Sequence, residues 1–230
     1  MPGHIVSAFD EELTGLAESI AEIGGRADYM VENGVSALLR ADHELAQEVI
    51  AADRAVNALQ RDLEERAILI IARRQPMAQD LREIIAAIRI ANELERIADL
   101  GKNIARRTLA IDSQPIARDL VVGVEHLADL GLRQLKRVLD SYGARDVAAA
   151  RHVWHADDEV DAVYVSFFRQ VISYMIEDPR KVTLCTHLLF CAKNIERVGD
   201  HCTNIAETVH YLVTGQPLEE HADEAAEAGG

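Results

Sequence analysis

Glu95-Arg96-Ile97-Ala98-Asp99-Leu100-Gly101-Lys102-Asn103-Ile104-Ala105 returns 101 residues later as Glu196-Arg197-Val198-Gly199-Asp200-His201-Cys202-Thr203-Asn204-Ile205-Ala206. In both copies Glu, Asp and Asn recur every fourth residue, a spacing that stacks the three on one face of a helix. Ile90, Leu94, Ile97, Gly101 and Ile104, like Cys191, Ile195, Val198, Cys202 and Ile205, mark the apolar seam of a bundled helix. At about 100° per residue the polar face centres roughly opposite that seam, which places Glu95, Asp99 and Asn103, and their counterparts, outside the bundle. Two like charges one turn apart cost a helix about 0.2–0.5 kcal/mol unless something positive compensates. Arg96, Arg197, water or a bound cation are the compensators this reading offers.

Upstream and downstream of the repeated stretch the same periodicity continues. Phe9, Leu13, Leu16, Ile20, Ile23, Ala27, Met30, Gly34, Ala37 and Leu38 predict a first long helix from about Ile5 to Arg40. Asp42 reads as the N-cap of a second, ended by Gln75-Pro76 near Arg74, and a third begins near Asp80 and stops around Ile111 before Asp112-Ser113-Gln114-Pro115. A fourth runs from Ile116 to about Tyr142 and closes at Gly143; Asp146 caps a fifth that continues to Glu177, where Asp178-Pro179 breaks the chain. The sixth ends near Thr214-Gly215-Gln216-Pro217.

These segments repeat as a set. Asp42 and Asp146 are 104 residues apart, as are Asp53 and Asp157. The expected fold is all-α, two tandem homologous three-helix bundles forming an elongated molecule: residues 1–112, residues 113–217, and an acidic, small-residue tail, 218–230, expected to be disordered.

Composition bounds the function. Aromatic residues make up 4% of the chain against 49% hydrophobic overall, a balance that favours helices over sheets. The net charge of −15 argues against a nucleic-acid partner, which wants a basic face. No apolar run approaches the roughly 20 residues of a membrane span, and Met1-Pro2-Gly3-His4 opens no signal pattern, so a cytoplasmic location, peripheral to a membrane at most, is expected. Cys185, Cys191 and Cys202 lack CxxC spacing and read as reduced core cysteines.

The acidic faces carry the only constellation with chemistry in it. The second helix of each repeat adds a pair one turn apart, Asp53 with Asn57 and Asp157 with Asp161. If second and third helices are antiparallel neighbours, each repeat brings four oxygen ligands to one groove, which suits magnesium, calcium, manganese or iron. His201 is a softer ligand in reach of the second set. A lone E-x-x-x-D pair is ordinary decoration of a solvated helix; repetition of the same positions is what favours metal. Asn103 and Asn204 have a plainer use in bonding a neighbouring helix. A di-iron oxidase would need paired Glu-x-x-His motifs, and the chain offers Glu207 to His210 without a partner. There is no glycine-rich phosphate loop, GxSxG elbow or zinc-type Cys/His spacing, and His152, His155, His187 and His210 share no register.

With Glu196-Arg197-Val198-Gly199-Asp200-His201, Asn204-Ile205-Ala206-Glu207, Glu95-Arg96-Ile97-Ala98-Asp99 and the Asp53 and Asp157 pairs, the chain resembles the PhoU family over nearly its whole length, from Phe9-Asp10-Glu11-Glu12-Leu13 through Gln75-Pro76 and Asp80-Leu81-Arg82 to the last helix. That resemblance implies a paired three-helix-bundle fold and divalent or multinuclear metal (iron, manganese, magnesium or zinc) at Asp53, Asn57, Glu95, Asp99, Asp157, Asp161, Glu196 and Asp200. Asn57, Ala98 and Leu100 depart from Asp161, Gly199 and His201 of the second repeat, so weaker binding is expected at the first site. The resemblance further implies a homodimeric, non-enzymatic negative regulator of the phosphate-starvation response, acting between a phosphate ABC transporter and a sensor histidine kinase. A metal-dependent hydrolase or oxidase is the alternative, and it lacks a base or nucleophile beside the carboxylates.

Overall fold

A computed structural model describes residues 2–111 and 115–219. The expected break at 112–114 and the acidic tail from 220 onward lie outside the described residues. Among the described residues every regular element is helical: α1 (Pro2–Arg40), α2 (His43–Arg74), α3 (Gln79–Ala110), α4 (Arg118–Ala144), α5 (Val147–His155), α6 (Asp157–Glu177) and α7 (Val182–Thr214), with one 3-10 turn at Pro179–Lys181. At 1.5 Å per residue the longest run to roughly 50–60 Å, which makes the molecule elongated.

Local chemistry explains where these helices start and stop. Asp42 and Asp146 each cap the helix that follows, accepting from Leu45 N and Ala149 N at 3.0 Å. Before each cap one residue turns left-handed, Ala41 (φ 52°) and Arg145 (φ 55°), so the chain reverses by the same device 104 residues apart. Gly143, expected to close the fourth helix, lies inside α4, and Arg145 takes the left-handed place with its guanidinium 4.6 Å from the centre of the Tyr142 ring.

The fifth expected helix is interrupted. Ala156 (φ −77°, ψ −4°) donates its N–H to both His152 O and Val153 O, which tightens the last turn of α5 and starts α6 afresh at Asp157. Asp157, Asp158 and Glu159 then fill the first turn of α6, where the helix dipole favours negative charge. The break sets Asp157 at a helix start, against α7.

Helices α1 to α3 form one bundle and α4 to α7 the other, consecutive rods running antiparallel, with α5 and α6 together making one interrupted rod. Arg74 pairs with Glu12 across α1 and α2, and Gln60 Nε2 donates to Asn92 Oδ1 at 2.7 Å across α2 and α3. Gly34 and Gly101 let α1 and α3 meet backbone to backbone: a Cβ at Gly101 would stand 2.7 Å from Met30 O. The seam residues Ile90, Leu94, Ile97, Cys191, Ile195, Val198, Cys202 and Ile205 are all fully buried. The apolar core crosses the repeats, because Leu135, Val138, Val153, Val198 and Ile205 join the cluster built on α1 to α3, while Val35, Leu38 and Ile104 join that of α4, α6 and α7. Helices α3 and α7 pack antiparallel along that junction, with Gln79 against Leu212 at one end and Arg107 over Phe190 at the other.

Candidate metal-binding grooves and their charges

Each E-x-x-x-D face points along its own bundle toward the preceding helix of the same repeat. In the first repeat Lys102, one turn beyond Asp99 on α3, places Nζ 2.9 Å from Asp53 Oδ1 of α2 and also contacts Asp99 Oδ1. Burial works against the Lys102 ammonium, but hydrogen bonds to Asp99 and Asp53 outweigh it and raise its pKa above the ordinary lysine value. Asn57 turns from the groove to give Nδ2 to Asp53 O at 3.0 Å, and Asn103 reaches toward Asp99. Glu95 is half-buried with Arg96 Nε 3.8 Å away; burial, then the Asp99 and Asp53 charges, raises its pKa. The compensating charge is therefore a lysine, a role the sequence reading had given to Arg96, water or metal.

The second repeat is built from the same carboxylates with a different balance. Glu196 is not outside the bundle, as the helical wheel predicted, but only 7% exposed. Lys193, one turn earlier, bonds its Oε1, and its Oε2 is buried without a hydrogen-bond partner. The wheel treats α7 as alone, whereas α6 and α4 close over the flank on which Glu196 sits. Burial, with Asp200 and Asp161 adding repulsion, raises the Glu196 pKa. Asp157 is pushed up to about 6 by burial and then by Asp200, Asp161 and Asp158, and its Oδ1 likewise has no partner. Asp161 and Asp200 are exposed.

One further residue enters this groove. Gln134 of α4, 5% exposed, donates Nε2 to Ala156 O at 2.9 Å, the carbonyl at the α5–α6 break, so its Oε1 must face the other way. That oxygen has no partner. A Cβ at Gly199 would stand 2.8 Å from Asp157 Oδ1 and 3.0 Å from Gln134 Oε1; glycine leaves open the space on which both oxygens border. Three buried acceptors are without donors, one each on Asp157, Glu196 and Gln134, and all three are hard oxygens of the chemical type that divalent cations take. They do not yet converge: among the described residues no group of three or more His, Cys, Asp or Glu side chains is disposed to hold a metal ion.

His201 turns away from this set, with Nδ1 donating to Glu93 Oε2 of α3 at 2.7 Å, and Asn204 Nδ2 donates to the same oxygen at 3.1 Å. Burial works against the Glu93 carboxylate, but these bonds hold its pKa below the ordinary value. The sequence reading had singled out neither Lys102, Gln134, Lys193 nor Glu93. Only Lys102 carried a legible signal, standing one turn from Asp99 where the second copy has Thr203.

The PhoU domain family matches twice, at residues 20–108 and 124–209. The chain belongs to the PhoU family. It is 55% identical over 212 residues to the phosphate-specific transport system accessory protein PhoU homolog of Rhizobium meliloti (strain 1021), covering 92% of this chain and 90% of that one. To the PhoU accessory protein of Escherichia coli (strain K12) it is 36% identical, over 93% of this chain and 88% of the other. The crystal structure of PhoU from Pseudomonas aeruginosa superposes with a TM-score of 0.86 at 35% identity, covering 90% of this chain and 100% of that one. The PhoU family is one of accessory and regulatory proteins, not of enzymes. No helix among the described residues is long and apolar enough to cross a membrane.

Proposed function

We propose that the chain is a cytoplasmic negative regulator of the phosphate-starvation response that couples a phosphate ABC transporter to a sensor histidine kinase by protein contact. The observation that carries this reading is 55% identity, over 92% of the chain, to a protein named as a phosphate-specific transport accessory protein. It acts through surface: two homologous repeats, divided near residue 112, offer long acidic helix faces, and a net charge of −15 suits protein partners rather than nucleic acid. Metal bound at the E-x-x-x-D grooves would supply positive charge there, and the chain's own part is to hold hard oxygen ligands in place. A homodimer belongs to the same reading, supported by Val165, Phe168 and Ile176, exposed along one face of α6. Sedimentation analysis checks it, with a monomer at micromolar concentration counting against it.

Deletion of the gene is expected to leave phosphate-starvation genes switched on in phosphate-rich medium, and the intact gene to silence them again. Unchanged phosphate-responsive expression after deletion would overturn the regulatory reading.

A further inference from the structure

We infer that the chain carries one divalent-cation site, not two: the Lys102 ammonium stands in for the cation in the first repeat, and in the second Gln134 adds an amide oxygen to the carboxylates of Asp157, Glu196 and Asp200. This rests on the reading of the E-x-x-x-D grooves as metal-binding and narrows it. Four matched positions separate the grooves. Counting by 101 along α3 and α7, Lys102 meets Thr203 and Ala98 meets Gly199; counting by 104 along α1 to α2 and α4 to α6, Met30 meets Gln134 and Asn57 meets Asp161. Every one of the four exchanges favours a cation in the second repeat.

In the first groove the positive charge is covalently tethered. Lys102 Nζ lies between Asp53 and Asp99, its side chain 12% exposed, and so occupies the space an incoming cation would need. Met30, fully buried, offers no hard donor, and Asn57, whose Nδ2 bonds Asp53 O on its own helix, brings no negative charge. In the second groove Thr203 brings no positive charge: its hydroxyl lies 3.2 Å from Gly199 O and is also within hydrogen-bonding reach of Asp157. Oε2 of Glu196, 7% exposed, and Oε1 of Gln134, 5% exposed, are left without donors. Lys193 cannot serve as Lys102 does: it is 48% exposed, bridges no two carboxylates, and its ammonium is shared between Glu196 and the face of the Tyr164 ring. Unpartnered buried acceptors in native proteins call for an ion, a water or a proton, and the four oxygen-bearing side chains of Gln134, Asp157, Glu196 and Asp200 suit the first.

The test is calorimetric titration of the full chain with manganese(II) after chelator treatment and removal, with circular dichroism confirming that each variant folds. Glu196→Ala/Asp200→Ala is expected to abolish binding, and Glu95→Ala/Asp99→Ala to leave affinity and stoichiometry unchanged within about twofold. Gln134→Met, which installs the first repeat's residue, is expected to weaken binding by about tenfold, while Gln134→Glu restores it. Lys102→Thr is expected to open an additional, weaker class of sites. If Glu95→Ala/Asp99→Ala removes part of the manganese, the chain has two sites and this inference fails while the metal reading stands. If the parent chain binds no manganese, the metal reading itself fails. A Lys102→Thr variant that gains no binding, or a Gln134→Met variant that binds like the parent, overturns the role given to that residue.

Discussion

Lys102 and Glu196 hold opposite places in the charge balance, and their removal separates the two grooves by stability alone. Lys102→Met leaves Asp53 and Asp99 facing each other without the ammonium that both contact. Loss of hydrogen bonds to charged, half-buried partners costs about 1–3 kcal/mol, expected as a lower urea midpoint in metal-free protein. Glu196→Gln removes a charge whose Oε2 has no partner, while the Lys193 left behind is 48% exposed and keeps its hydration. Metal-free protein is then expected to gain about 1 kcal/mol, or roughly 2–4 °C in melting temperature for a chain of this size. Saturating manganese should reverse that order, since the parent gains ligand stabilisation and the variant does not. A Glu196→Gln variant that melts below the parent without metal would show that the buried carboxylate is satisfied in solution.

Among the elements, α3 is the one on which most of the molecule leans, because it packs on α1, α2 and α7 together. Its approach to α1 depends on Gly101, where an added Cβ would stand 2.7 Å from Met30 C and O and 2.8 Å from Val31 N. Backbone atoms cannot move aside as a side-chain end can, so Gly101→Ala is expected to separate the two helices and destabilise the fold by about 1–3 kcal/mol, the usual scale of overpacking. Gly25, with nothing within 4 Å of an added Cβ, is the control: Gly25→Ala should be neutral or stabilising by up to about 1 kcal/mol, since alanine is the better helix former. Chemical denaturation of both variants checks the pair. The interruption at Ala156 belongs to this scale too, for without it Asp157 would lie in mid-helix and the Ala156 carbonyl would have no Gln134 amide upon it.

For the molecule as a whole, apolar clusters that cross the repeat boundary and the Glu93 bonds to His201 and Asn204 predict that both bundles melt together. Fluorescence of Trp154, whose Nε1 donates to Glu207 Oε1 at 3.2 Å in the second bundle, should follow the same denaturation curve as far-ultraviolet circular dichroism, which reports both bundles. Separate curves would mean that each repeat folds alone. The all-helical class, the doubling of the chain and the seams through Ile97 and Val198 were legible in the residues, because periodicity and duplication are properties of one dimension. So were the caps at Asp42 and Asp146, since each bonds only three residues ahead. The fate of each acidic face was decided elsewhere: Lys102 finds Asp53 from 49 residues away, and Gln134 and Asp157 border one space only because α4, α6 and α7 close around Gly199. Whether a carboxylate is buried, and whether the charge that answers it is tethered or free, depends on which helices lie beside it, and no period along the chain records its neighbours.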